Sequence, residues 1–426
     1  MNTNDERINK SLRFSFLDGI FASGMLGFTQ DYLTPFLLIL GATAKEVGIL
    51  NSLPNLFASL IQLKAADFSD KLKSRKKIFS ISIFLQALML LPMALIGFLA
   101  IKKPIIFIVT VILFSSFGAF ANSAWASLMS DLVEQGRRGQ YFGWRNKTLG
   151  FIVVMATFIA GLILHLMKRV NIFYGFTVVF LLAFIFRIIS WYFLKKMHEP
   201  VLDYRRENYF NFFEFLLRLK ESNFAKFVLF VASLNFCVNL ASPFFSVLML
   251  KDLHFSYMLY TIISVTATLT VYSMMGRWGK IGDKVGNLRI MKFCAPLIAI
   301  IPLLWIVNRN PIFLIFAQVL SGFAWAGFNL CASNFIFDAV RPEKRTRCIS
   351  YFSAVNGMAL CLGALLGGFL VNKLPNIFGY RILTLFLISG ILRLTVALFM
   401  PQKLKEVRAV EHISTDQLFF NIVGFK

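Results

Sequence analysis

Charge is scarce in this chain, and acid is scarcer than base. Of 426 residues, 15% are charged, with 21 Asp and Glu against 44 Lys and Arg, while 58% are apolar. Soluble domains run nearer 25% charged and 45–50% apolar. The balance excludes a disordered chain, which needs low hydrophobicity, and argues against a soluble enzyme. Cysteine is also sparse. Cys237, Cys294, Cys331, Cys348 and Cys361 all fall in the second half, and none forms CxxC. They read as small packing residues rather than a disulfide framework or metal site. The histidines His165, His198, His254 and His412 have no ligand spacing, so no metal and no cofactor are expected. GxxxxGK[ST] is missing, which excludes ATP hydrolysis through a P-loop. No nucleophile or acid–base pair clusters in the apolar segments, so no catalytic residue is assigned and the chain is not expected to be an enzyme.

What the sequence has is long apolar runs. They lie at 14–40, 46–66, 78–100, 104–128, 141–166 and 171–195, then 225–250, 255–276, 289–308, 311–337, 348–372 and 379–400. Each is long enough for a membrane helix, which takes about 20 residues. The predicted fold is therefore all-α and polytopic, with 12 transmembrane helices. The polar segment Met1 to Arg13 precedes a run too long for a signal-peptide core, and no A-x-A pattern follows. That run is read as a first span. The longest polar connection is 196–224, where Phe210, Phe213, Leu216 and Leu217 recur at helical spacing beside Arg218 and Lys220. It is expected to be an interfacial amphipathic helix.

The net charge of +23 sorts by loop. With the N-terminus inside, 32 basic residues fall on the cytoplasmic side, 9 on the other, and Lys64, Arg187 and Arg393 within spans. That alternation is the positive-inside rule, and it sets aside a nucleic-acid surface, which would gather the charge on one face. Both termini are expected in the cytoplasm and the chain in the plasma (inner) membrane. Arg187 and Arg393 are expected to snorkel.

Halving the chain exposes a repeat. Residues 66–78 align with 279–291 at an offset of 213, putting Asp70-Lys71 on Asp283-Lys284. Asn122, Asp131 and Arg138 fall on Asn329, Asp338 and Arg345 at 207. Asp31 and Pro35 fall on Asn239 and Pro243 at 208, and Arg187 falls on Arg393 at 206. Matches in chain order with so little drift argue for two homologous six-span halves: 1–195 and 225–400, joined by 196–224 and followed by a tail, 401–426.

These features resemble the major facilitator superfamily of secondary transporters. The second copy of its loop motif G-x-L-x-D-R-x-G-R-R is Gly279-Lys-Ile281-Gly-Asp283-Lys284-Val-Gly286, with Arg289 beyond. The first copy departs from it, with Ala66 for the first Gly and Lys73 for the second, but keeps Asp70, Lys71 and the basic cluster from Arg75. The resemblance implies two pseudo-symmetric six-helix bundles rocking about a central cavity. It also implies that Asp70 and Asp283 hold the cytoplasmic side closed by accepting backbone N–H bonds and pairing with cations. The pairs Asp131 with Arg138 and Asp338 with Arg345 are given the same reading; the competing reading of all these residues is ordinary solvated loop charge, worth little individually.

In that family the first and fourth span of each half line the cavity. Asp31 is then the principal candidate, because a carboxylate inside a span is expensive and by default functional. Asp18 is the other acid of the first span, nearer the cytoplasm. Asn235 and Asn239 are the candidates from the seventh span. Asn122 with Trp125, and Asn329 with Trp325, come from the fourth and tenth. The competing reading of each Asn is interhelical glue. Asp31 has three open roles: a proton carrier, a Na⁺ ligand, or a partner for a cationic solute. The fourth span lacks the Arg of many proton-coupled exporters and sugar porters, and the fifth lacks the GPxxGG run of drug/proton antiporters. A lesser likeness, in the loop from Ser69 to Arg75, is to cation-coupled glycoside symporters.

The expectation is a secondary active transporter, a monomer in the lipid bilayer, moving a small solute by alternating access with a proton or sodium gradient. The alternatives are a lipid translocator or non-transporting sensor on the same fold, and a membrane-embedded enzyme.

Overall fold

The computed structural model describes residues 3–72, 74–133, 138–199, 222–340 and 342–407. Within these, the side chains of 3–5, 62–72, 75, 123, 126–127, 130–131, 138–140, 143, 283 and 342–347 lie outside the description. So do most of the amphipathic segment expected in the linker and the chain beyond 407.

The first half is built from α1 (Thr3–Thr29), α2 (Leu33–Ile39), α3 (Ala44–Leu72), α4 (Arg75–Leu88), α5 (Leu90–Phe98), α6 (Pro104–Leu132), α7 (Arg138–Met167) and α8 (Ile172–Lys195). The second comprises α9 (Asn223–Ala241), α10 (Phe244–Val247), a π-turn (Leu248–Asp252), α11 (Tyr257–Val285), α12 (Asn287–Val307), α13 (Pro311–Ala339), α14 (Pro342–Leu370) and α15 (Arg381–Phe399). No extended strand occurs among the described residues, only the isolated bridge Ile377–Tyr380. Ten helical stretches among them are long and apolar enough to cross a bilayer. The other two spans are α1 with α2, and α3; α1 has 27 residues and α3 has 29, about 40 Å of helix each. Twelve spans in an all-α fold thus agree with the apolar runs. Helices suit this setting because each satisfies its own backbone polar groups.

Sequence punctuation starts these helices where it should. Pro104 and Pro311 open α6 and α13, where a missing N–H costs nothing. Asn171 caps α8, Ser222 caps α9 and Asn310 caps α13, each accepting a first-turn N–H.

The repeat carries into three dimensions. Helices α6 and α13 each have 29 residues, as do α3 and α11. Packing pairs recur as well. In the first half α1 packs on α7 and α8, and α4 packs on α6 and α8. In the second, α9 packs on α14 and α15, and α12 packs on α13 and α15. Close approach between α9 and α14 depends on Gly363, where a Cβ would press on the Phe236 carbonyl.

Two compact units emerge. One contains residues 1–205 together with Pro243–Val265; the other contains 206–242 and 266–426.

Candidate functional site

Asp31 does not sit in a continuous helix. The first span breaks after Thr29, turns through Gln30, Asp31 and Tyr32, and resumes as α2. Pro35 causes this: it has no N–H to donate four residues back to the Asp31 carbonyl. That freed carbonyl is satisfied instead by the Tyr260 hydroxyl, which donates to it at 2.6 Å. Tyr32 is fully buried; its hydroxyl donates to the Thr157 carbonyl at 2.6 Å and lies 2.9 Å from Thr261 Oγ1. All these residues belong to the first unit. The turn is therefore held by its backbone and by Tyr32. The Asp31 carboxylate is half-buried and makes no hydrogen bond or ion pair with the described residues.

The seventh-span candidates differ. Asn235 Nδ2 donates to Asn356 Oδ1 at 2.7 Å and Asn239 Nδ2 to the Leu360 carbonyl at 3.3 Å, both on α14. These two side chains tie α9 to α14. The fourth-span pair is freer. Asn122 on α6 and Asn329 on α13 are exposed, and their amides make no side-chain hydrogen bond with the described residues. Each has a tryptophan about one turn away. Trp125 is half-buried beneath the Arg145 guanidinium, 4.6 Å from the ring centroid. Trp325 packs edge-on against Phe328.

Several side chains act otherwise than their sequence position implied. Arg187 and Arg393 do not snorkel; they are 8% and 2% exposed. Arg187 on α8 donates from Nε to Gln86 Oε1 of α4 at 2.8 Å and from Nη1 to Ser190 at 3.2 Å. Ser190 in turn donates to Asp18 of α1 at 2.6 Å. Arg393 on α15 donates to Ser389, to the Ile298 carbonyl of α12 and to the Val238 carbonyl of α9. Each arginine ties together the same three helices of its half. A guanidinium has five donors in a planar fork, and reaching acceptors on two neighbours satisfies it better than the long stretch to the interface. Arg145 is also buried; it donates to the Ser15 carbonyl at 3.2 Å.

Of the gate residues, the side chains of Asp70, Lys71, Arg75, Asp131, Arg138, Asp283 and Arg345 lie outside the described residues. In the second copy, α11 runs unbroken past Gly279 to Val285. Gly286, with φ +96°, makes the tight turn into α12, a backbone only glycine adopts readily. Lys284 is exposed and Arg289 half-buried. The Asp338 carboxylate accepts from the buried Asn287 amide at 2.8 Å.

A clamp that the sequence reading missed closes the same end of each unit. After α8, the His198 N–H donates to Ser11 Oγ at 2.8 Å, and Glu199 accepts from the Ser74 hydroxyl and the Lys76 N–H at the start of α4. After α15, the Lys405 N–H donates to Asn223 Oδ1 at 3.0 Å, and Glu406 accepts from the Leu288 N–H at the start of α12. The signal was present: Lys196-Met-His-Glu199 matches Lys403-Leu-Lys-Glu406 at the offset of 207. A carboxylate at a helix N-terminus is favoured by the orphan N–H groups and the helix dipole. Glu406→Ala is expected to cost about 1–2 kcal/mol, as loss of an N-cap does. Thermal melting should show that drop, with Glu406→Gln falling less.

Twelve spans in two repeated sets, with polar side chains on matching helices, define a polytopic α-helical membrane carrier. The sequence profile described as Major Facilitator Superfamily matches residues 19–307 and 227–416. The chain belongs to that family, and is a multi-pass membrane protein of the transporter class. No curated protein matches it in sequence. Its fold is similar to that of the nucleoside transporter NupG, with a TM-score of 0.70 and 16% identity, covering 95% of this chain and 100% of that one. It is also similar to a POT family transporter in complex with 5-aminolevulinic acid, at TM-score 0.72 and 12% identity, covering 91% and 94%. A bacterial homolog of the human lysosomal transporter Spinster, inward-facing and unoccupied, follows at TM-score 0.61 and 13% identity, covering 94% and 97%.

Proposed function

We propose that this protein is a secondary active transporter that moves a small polar solute by alternating access, coupled to a proton or sodium gradient. Its two six-span halves are 1–195 and 225–400, and it works as a monomer in the inner membrane with both termini cytoplasmic. The observation that carries the reading is the pair of repeat-related amides, Asn122 and Asn329, exposed on corresponding helices and without a side-chain hydrogen bond among the described residues. An amide facing hydrocarbon with no partner is costly, so these two face an aqueous path. Asp31 adds an ionisable group whose carboxylate is uncommitted, and it is the coupling candidate. Asp70 and Asp283, with their neighbouring cations, form the cytoplasmic gate of this scheme, together with the Asp131–Arg138 and Asp338–Arg345 pairs.

Nucleosides and 5-aminolevulinic acid, named for two proteins of similar fold, head the solute panel. Purified protein in proteoliposomes should accumulate a panel member only when a pH or Na⁺ gradient is imposed. Uptake indifferent to both gradients across the panel would refute coupling. Asn122→Leu and Asn329→Leu should each raise KM by about tenfold, the worth of one lost hydrogen bond, while leaving the melting temperature near wild type.

A further inference from the structure

We infer that the first unit carries a binding site for the anionic headgroup of a membrane phospholipid, separate from the transport path. A cavity of about 820 Å³ opens where the starts of α1 and α4 meet the end of α8. Six cations line it: Arg7, Lys10, Lys76, Lys77, Lys195 and Lys196. Facing them among the described residues are His198 and one carboxylate, Glu199, which accepts from the Ser74 hydroxyl and the Lys76 N–H. So many like charges around one cavity repel each other and create a strongly positive potential there. An anion relieves it.

The cavity wall says which kind of anion. Phe14 and Ile81 form its apolar side. Ile81 is 58% exposed, and the surface continues along α4 and α8 through Phe84, Trp191 and Tyr192. Lys195 Nζ sits 4.5 Å from the centroid of Trp191, and Lys196 Nζ donates to the Tyr192 hydroxyl at 2.6 Å. Lysines above tryptophan and tyrosine mark the membrane–water boundary. The site therefore has a cationic head and an apolar, lipid-facing flank, the shape of a phospholipid. Basic pockets between membrane helices bind anionic headgroups for this reason. A free phosphate would use the cations and leave the apolar flank without a role.

The test uses the purified full-length protein offered equal phosphatidylglycerol and phosphatidylcholine, with retained lipid counted by native mass spectrometry. Phosphatidylglycerol should be retained in preference, and Lys76→Gln and Lys77→Gln should each weaken that preference by about fivefold. The pair Lys102→Gln with Lys103→Gln, in the α5–α6 turn outside this cavity, should leave it unchanged. Brominated phosphatidylglycerol should quench Trp191, read as the difference between wild type and Trp191→Phe, more than brominated phosphatidylcholine does. This second measurement decides the matter if the lysine variants fail to fold. Equal retention of the two lipids, a preference that survives loss of both lysines, or equal quenching would overturn the proposal. So would inorganic pyrophosphate stabilising the lipid-free protein as strongly as phosphatidylglycerol does, which would assign the site to a soluble anion.

Discussion

Asp31→Asn leaves the protein folded and removes gradient-driven accumulation of solute. Folding survives because the turn is not held by the carboxylate. Its supports are the Tyr260 hydroxyl on the Asp31 carbonyl and the buried Tyr32 hydroxyl on the Thr157 carbonyl. An amide has the carboxylate's shape and retains an acceptor oxygen. What it lacks is a titratable proton and a full charge for a cation. A carboxylate inside a membrane span is costly when charged, so the variant should be at least as stable as the parent. Two assays separate the roles. Uptake driven by a pH or Na⁺ gradient should fall to equilibration, while solute counterflow without a gradient should persist if Asp31 serves coupling alone. Loss of counterflow as well would mean that Asp31 also holds the solute. Wild-type accumulation in Asp31→Asn would remove the residue from the mechanism.

Arg187→Leu, in contrast, is a folding lesion. It removes the main cation acting on the Asp18 carboxylate, 4% exposed, which keeps only the Ser190 hydroxyl as donor, and leaves the Gln86 carbonyl oxygen without its partner. Arg187 acts on Asp18 through Ser190 and through space, and leaving a buried carboxylate without its main cation costs up to about 3–5 kcal/mol. Arg145 also acts on Asp18 electrostatically and offsets part of the loss. The double variant Asp18→Asn with Arg187→Leu should recover much of the melting temperature, since no isolated charge then remains. Arg393→Leu is the comparison. Its hydrogen-bond partners are a hydroxyl and two carbonyls, so its removal should cost about 1–3 kcal/mol, the cost of unsatisfied neutral groups. Equal losses from the two arginines, or no recovery in the double variant, would show that charge pairing is not what the first half depends on.

The legible parts of this molecule were those with local causes. Twelve apolar runs became twelve spans because a segment of that length in lipid must close its own hydrogen bonds. The offsets of 206–213 reappeared as matched helix lengths and matched packing pairs. The break in the first span was signalled by Pro35, four residues after Asp31, yet hydrophobicity alone reads straight through it. The Glu199 and Glu406 clamps also have a sequence mark, but in short polar segments beyond the last span of each half, outside the apolar runs in which the repeat is plainest. Arg187 and Arg393 were misjudged for another reason. Snorkelling is judged from distance to the helix end, whereas burial depends on acceptors that other helices bring.

By itself, then, the sequence determined the class: the shortage of charge requires a bilayer, while the loop-by-loop bias of its basic residues and the internal repeat are the basis of the proposed orientation and of the proposed division into two halves. Only the tertiary structure decided the fate of individual polar groups. Asp18 meets Ser190 across 172 positions and Gln86 meets Arg187 across 101, separations over which no pattern in the chain specifies a contact. Asn235 and Asn239 are engaged while Asn122 and Asn329 make no side-chain hydrogen bond among the described residues, because helix rotation and neighbour placement within each unit determine which face of each helix is covered.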